Sequence, residues 1–222
     1  MIFYDSHAHC ISRQYGGLLI GLEGEPGLSG FMDNEAVRLA VREYPGRFLP
    51  CYYVTKEWND VPDETILKYH PRREKYTAEE VMLDLRRRKC RICIIDTLNQ
   101  PFWGYLDYWK IVSAFPKIQF ILPHMGGYDI VDFIKILDFN KNAYCDFSMT
   151  QEYFGWCGPR PRFGHVADAI DYCLNNGKLN KKVLFGSDEP DFSQSMAVEK
   201  YAKLPNAGDI LETNYLNLTG LL

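Results

Sequence analysis

No run in the chain approaches eighteen apolar residues, and its start lacks a basic segment followed by an apolar one. Neither the pattern of a transmembrane helix nor that of an export signal is met. The expectation is a soluble, cytoplasmic protein that makes no membrane contact. The net charge of −4 carries none of the basic excess of a nucleic-acid-binding chain. No nucleic-acid partner is therefore expected. The seven cysteines are odd in number and scattered, unlike a disulfide framework. Cys90 and Cys93 form a lone C-x-x-C, and no second pair answers it to complete a zinc or redox motif. There is no internal repeat and no linker, so residues 1–222 are expected to form one domain.

What is present is apolar bulk, at 46% of residues with 14% aromatic, enough to bury a large core. Apolar bursts alternate with helical patterns. The strand candidates are Ile2–Tyr4, Leu18–Ile20, Phe48–Val54, Thr65–Tyr69, Ile92–Ile95, Ile118–Leu122, Tyr144–Phe147 and Val183–Phe185. Helices are predicted from Asp33 or Asn34 to Tyr44, from Thr77 to Lys89, and over 104–115, 128–140, 164–176 and 195–203. Alternation of this kind implies parallel strands joined by right-handed crossovers. Eight strand candidates suit a closed (β/α)8 TIM barrel. The competing open, doubly wound sheet lacks a Gly-x-Gly-x-x-Gly turn after the first strand. Too few residues separate His9 from Asp33 for a full first crossover helix, so the barrel is expected to be compact and trimmed there.

The polar residues recur at strand ends. His7 and His9, in Asp5-Ser6-His7-Ala8-His9, share one face of the first strand and aim two imidazoles at one point. That arrangement can hold a divalent metal, or the two histidines can simply alternate without function. Lys68 and His70 end the fourth candidate strand, Asp96 the fifth, His124 the sixth and Asp188 the eighth. In a barrel all these ends open on one face, where active sites form. Asp96 could equally begin a turn or cap a helix. His165 reads as part of a surface helix.

Assembled, these residues resemble the amidohydrolase superfamily, specifically its amidohydrolase-related (amidohydrolase 2) branch of metal-dependent barrels. The resemblance rests on Asp5–His9, on Leu122-Pro123-His124-Met125-Gly126-Gly127, and on Leu184-Phe185-Gly186-Ser187-Asp188-Glu189-Pro190. Tyr44–Phe48 and Ile210–Asn214 are also similar to recurring family segments. The resemblance implies that His7 and His9 are metal ligands and that Asp188 both binds metal and accepts a proton from water. It gives His124 a role in polarising substrate or moving protons, or in binding metal. The family places histidine at the end of strand five, where this chain has Asp96-Thr97. A carboxylate can bind zinc at about 2.0–2.2 Å and makes a harder metal such as manganese more tolerable.

The implied activity is metal-dependent hydrolysis of a small substrate, with Zn the first choice of metal, Mn a second, and Asp96 a further ligand. Asp188 would be the general base, and His124 would steady the developing oxyanion. Lys68 and His70 are candidate substrate contacts. The loop 151–162 is aromatic and basic. In it Trp156 could form a wall and Arg160 and Arg162 a clamp for a carboxylate, or the loop could be merely solvated. Trp103 could add another wall. The alternatives are a zinc-dependent non-oxidative decarboxylase, a phosphoesterase opening with the same Asp-x-His-x-His, and an inactive barrel serving as a binding protein. Relatives of this kind often form homodimers.

Overall fold

A computed structural model describes residues 3–11, 16–22, 30–58, 66–98, 102–150 and 164–220. Seven strands form one parallel sheet in chain order. They are β1 (Tyr4–Ala8), β2 (Gly16–Ile20), β3 (Phe48–Tyr53), β4 (Ile66–Tyr69), β5 (Ile92–Ile95), β6 (Gln119–Leu122) and β7 (Ala143–Cys145). The helices are α1 (Asn34–Glu43), α2 (Pro71–Glu74), α3 (Ala78–Arg87), α4 (Tyr105–Ala114), α5 (Ile130–Phe139), α6 (Gly164–Asn175), α7 (Gln194–Tyr201) and α8 (Asn214–Thr219). The architecture is α/β and TIM-barrel-like.

Local chemistry sets the helix starts. The Asp33 side chain accepts the Ala36 amide at 2.7 Å and caps α1. Thr77 and Glu80 exchange side-chain and backbone bonds, a capping box that opens α3. The short α2, which its charged sequence gives little cause to expect, begins at Pro71 with the fixed φ that suits a first helical turn.

One departure from expectation and one agreement with it, the trimmed first crossover, concern the barrel's ends. Val183–Phe185 is not a regular strand. The segment 183–189 instead bridges β7 at Cys145↔Val183 and β1 at Ala8↔Glu189. Its ladder is interrupted because the Phe185 amide turns to Ile210 O at 3.2 Å, although Ser6 N reaches Phe185 O and Asp188 N reaches His7 O. The segment thus fills the eighth position without completing a ladder. On the other side, β1 and β2 are parallel neighbours separated only by residues 9–15, too few for a helical crossover. Their approach is close enough that a Cβ on Gly17, whose φ is +150°, would lie 2.0 Å from Asp5 O.

Side chains alternate between two apolar layers. Leu18, Ile20, Cys51, Ile66, Ile92, Ile94, Ile121 and Leu184 fill the concave interior. Leu67, Tyr69, Cys93, Ile95, Phe120 and Leu122 pack outward under the helices, with Val81, Ile111, Phe133 and Ile170. β1 changes faces along its length. Tyr4 packs against the interior layer, yet His7 and His9, an odd number of residues onward, also point inward. A register shift between Asp5 and Ala8 accounts for this. It is a bulge that places an extra residue on β1 and re-aims the side chains beyond it.

Candidate active site

The inward rows supply the site. Ile66 is followed on its face by Lys68 and His70, and Ile92 and Ile94 by Asp96. Tyr144 is followed by Asp146 and Ser148, and Leu184 by Gly186 and Asp188. Each apolar row thus ends in a polar group at the C-terminal mouth, the active-site face of such barrels. His124 comes from the turn Pro123–Asp129 after β6. His124 and Asp188 have left-handed backbone, with φ of 63° and 62°. Such conformations cost free energy in non-glycine residues and persist where surrounding bonds enforce them. Here Asp146 Oδ1 accepts His124 N at 3.2 Å, and His7 O accepts Asp188 N at 2.7 Å.

One cluster joins β1 to the eighth segment. Asp188 Oδ1 lies 3.3 Å from His7 Nε2 and 3.6 Å from His9 Nε2. Ligand atoms of His7, His9 and Asp188 all fall within 4.8 Å of one another, and the three residues are buried. The opposite ring nitrogens are engaged behind. His9 Nδ1 meets Ile20 O at 3.1 Å, and His7 Nδ1 meets Ser148 Oγ at 3.1 Å with Asp146 Oδ2 at 3.5 Å. Metal-binding histidines are held by such partners behind the ring. The donor set therefore fits a divalent ion. Burial above all, with the electrostatic influence of neighbouring His7 and Lys68, holds the His9 imidazole well below its ordinary pKa, in the neutral form a metal requires. A second group, His7, His124 and Asp146, meets the same distance criterion. It uses the back of the His7 ring, and Ser148 Oγ already stands 3.1 Å from both imidazoles there.

The other cluster carries charge. Asp96 Oδ2 lies 3.2 Å from His124 Nε2 and 3.6 Å from His70 Nε2. Burial opposes ionisation of Asp96. The charge of His70 and the bond and charge of His124 outweigh it and hold the carboxyl well below the usual range. Burial likewise opposes charging of His124, yet the hydrogen bond and charge of Asp96, with Asp188 and Asp146, raise its pKa to about 9. For His70 burial wins over the pull of Asp96, and Lys68, Arg72 and Arg73 help push it to about 3. Lys68, 1% exposed, links the clusters with its Nζ 3.2 Å from His7 Nε2.

These groups line a cavity of about 250 Å³ with Leu22, Phe31, Arg72, Arg73, Met149 and Asp191. Of the residues singled out from sequence, His7, His9, Lys68, His70, Asp96, His124 and Asp188 all meet there. Asp96 stands with His70 and His124 and belongs to neither close donor group. Trp103 lies apart, 6% exposed in the core, its indole donating to Tyr76 O at 3.0 Å. Trp156, Arg160 and Arg162 lie outside the described residues. Sequence reasoning missed Arg72, Arg73, Asp146 and Ser148. The arginines sit two and three residues past His70, which was signal enough. Asp146 and Ser148 continue the inward alternation from Tyr144 and were legible by counting in twos.

The buried His/Asp clusters are of the kind that holds a divalent metal, and among the described residues no helix is long and apolar enough to cross a membrane. The chain is similar in fold to an uncharacterized TIM-barrel protein from Bordetella bronchiseptica, at TM-score 0.69 and 18% identity, covering 92% of this chain and 77% of that one. A probable 2-pyrone-4,6-dicarboxylic acid hydrolase from Acinetobacter baumannii, solved with citric acid bound, superposes at TM-score 0.65 and 16% identity, over 99% and 100% of the two chains. An amidohydrolase from Burkholderia multivorans with bound zinc does so at 0.57 and 12%, over 92% and 83%. At these identities the likeness establishes fold. No curated protein matches the chain significantly. The Amidohydrolase family model matches residues 79–209, more than half the sequence and a span that includes Asp96, His124 and Asp188. This chain belongs to the Amidohydrolase family.

Proposed function

We propose that the protein is a metal-dependent hydrolase of a small, carboxylated substrate, with Asp188 as general base. The observation that carries this reading is the convergence of His7 Nε2, His9 Nε2 and Asp188 Oδ1 on one side of a cavity whose other side presents the Asp96–His124 pair. His7, His9 and Asp188 would hold the ion. Two imidazoles favour zinc, and the carboxylate leaves manganese acceptable. Bound there, a divalent ion supplies positive charge that polarises a carbonyl and acidifies water.

The remaining roles belong to the chain. The Asp188 carboxylate takes the proton of the attacking water and returns it to the leaving group. His124, cationic at neutral pH because of Asp96, sets positive charge beside the oxyanion that forms at the attacked carbonyl. Lys68 Nζ, 3.2 Å from His7 Nε2, adds a second buried charge at the edge of the donor cluster. Arg72 and Arg73 at the cavity wall bind the substrate carboxylate, which a guanidinium matches with paired N–H groups. Trp156, Arg160 and Arg162 would extend those contacts from the loop 151–162.

A second reading has its own support. A buried acid facing the cavity can protonate the carbanion left when carbon dioxide departs, and His124 is such an acid. This is decarboxylation by the same site. The test loads the metal-stripped chain with zinc or manganese and supplies lactones, esters and amides of small carboxylic acids alongside aromatic carboxylic acids. Hydrolysis that vanishes on chelation supports the hydrolase. Carbon dioxide release without hydrolysis moves the assignment to decarboxylase. Turnover undiminished without metal overturns the metal reading, and neither metal uptake nor turnover would identify an inactive barrel.

A further inference from the structure

Behind the cavity, Asp146 and Ser148 stand where β7 ends, both wholly buried. Asp146 Oδ1 accepts the amides of His124 at 3.2 Å and Ser148 at 3.0 Å. An amide nitrogen can only donate, so Oδ1 is an acceptor. The Ser148 hydroxyl, 2.5 Å from that same oxygen, must therefore give it its one proton. What remains on Ser148 Oγ is lone pairs, and these face His7 Nδ1 and His124 Nδ1, each at 3.1 Å. The Ser148 carbonyl also faces His124 Nδ1, at 2.9 Å. Two acceptors cannot face each other favourably. Each ring must therefore carry a hydrogen on Nδ1.

We propose that Ser148, oriented by Asp146, is the positioning residue shared by both halves of the site. It takes the Nδ1 proton of His7 on its hydroxyl and that of His124 on its carbonyl and hydroxyl. His7 Nε2 then enters the cavity as a bare lone pair, which a metal or the Lys68 ammonium can meet. His124 Nε2 is left to carry its proton toward Asp96. Ser148, with Asp146 Oδ2 3.5 Å from His7 Nδ1 beside it, thus decides which nitrogen of each imidazole does chemistry. Gly186 makes room for this device, because a Cβ there would come within 2.7 Å of the Asp146 carboxyl carbon. The proposal rests on the metal reading only for what His7 binds, since the ring orientation is a property of the metal-free chain.

The experiment compares the full 15N-labelled chain with Ser148→Ala and Asp146→Asn, first without metal. Two-bond nitrogen–proton spectra identify the protonated nitrogen of each ring. Wild type should give His7 with Nδ1–H and an unprotonated Nε2, and Ser148→Ala should move the His7 signals most, with a smaller shift at His124, which keeps the residue-148 carbonyl. Zinc affinity, measured by competition with a chelator, should fall about 10–100-fold, the cost of losing a hydrogen-bond partner behind a ligand. If Ser148→Ala does not fold, Asp146→Asn carries the test, since it removes both the charge that turns the hydroxyl away from His7 and the carboxylate oxygen facing His7 Nδ1. His7 ring signals unmoved in every folded variant would overturn the proposal, as would a wild-type His7 protonated on Nε2 alone. If wild type takes up no zinc, the metal reading fails, and the spectra still decide the role of Ser148.

Discussion

His9 and His124 line one cavity and are buried alike, at 3% exposure each, yet their environments drive them to opposite charge states. His9 has a neutral carbonyl behind it and Asp188 3.6 Å from its Nε2, yet burial, with His7 and Lys68 nearby, prevails and the ring is held uncharged. Beside His124 stands the Asp96 carboxylate, and that charge outweighs a comparable loss of water. Burial alone therefore does not assign a role to a histidine. The balance of charges around it does, and a cavity with one ring of each kind can bind a cation on one side while storing a proton on the other.

The most severe test of this division is Asp188→Asn, which leaves the neutral side without its base. The expected loss is about 10²–10⁴-fold in kcat, read by steady-state kinetics on whichever substrate class proves active. Activity close to wild type would remove Asp188 from the mechanism. His7→Ala should act through metal content instead, and elemental analysis of the purified variant checks it.

Asp96→Asn addresses the charged side. With its partner neutralised, His124 should titrate well below about 9, and the alkaline limb of the pH–rate profile should move to lower pH. Stability responds as well. The raised pKa of His124 means that its pairing with Asp96 is fully present below the unfolded value of about 6.5 and is lost as pH rises through about 9. His9 and His70 slope the other way. Their depressed values leave the unfolded chain binding more protons below about 6.5, so stability falls as pH falls. Melting temperatures across pH should decline on both sides, and Asp96→Asn should flatten the alkaline side. An unchanged alkaline slope would mean that the Asp96–His124 pair is not its source.

Smaller effects mark the edges of the comparison. Arg72→Gln should raise KM about ten-fold with kcat nearly unchanged, as expected for a charge-assisted contact made equally before and during reaction. Trp103→Phe should cost about 1 kcal/mol in denaturant unfolding for the lost bond to Tyr76 O and leave KM alone. A large KM effect would return Trp103 to the substrate wall.

Much of this was readable from residue order. The row Ile92, Ile94, Asp96 announces a polar group at the end of an inward-facing strand, and Thr77 with Glu80 announces a helix start. The capping box forms as its spacing predicts. The eighth strand did not, because its ladder depends on where Phe185 N finds its acceptor, and that is Ile210 O in the distant C-terminal segment. Trp103 misled for a related reason. A large ring after a strand suits a cavity wall or a core equally, and only the position of Tyr76 decides. Asp96 presents a third kind of limit. Its place at a strand end was legible, but its association with His70 and His124 depends on three different strands meeting.

The bulge in β1 has a consequence for how this strand tolerates change. It inverts parity, so that Tyr4, stacked 4.9 Å from Tyr215, plugs the floor of the barrel while His7 and His9 serve its mouth. Without the bulge the same residues in even alternation would turn both imidazoles under the helices with the floor left intact, whereas deleting the one extra residue would keep both facing the mouth. The strand is in effect two modules spliced out of step, and the splice rather than either histidine decides whether the mouth has donors at all.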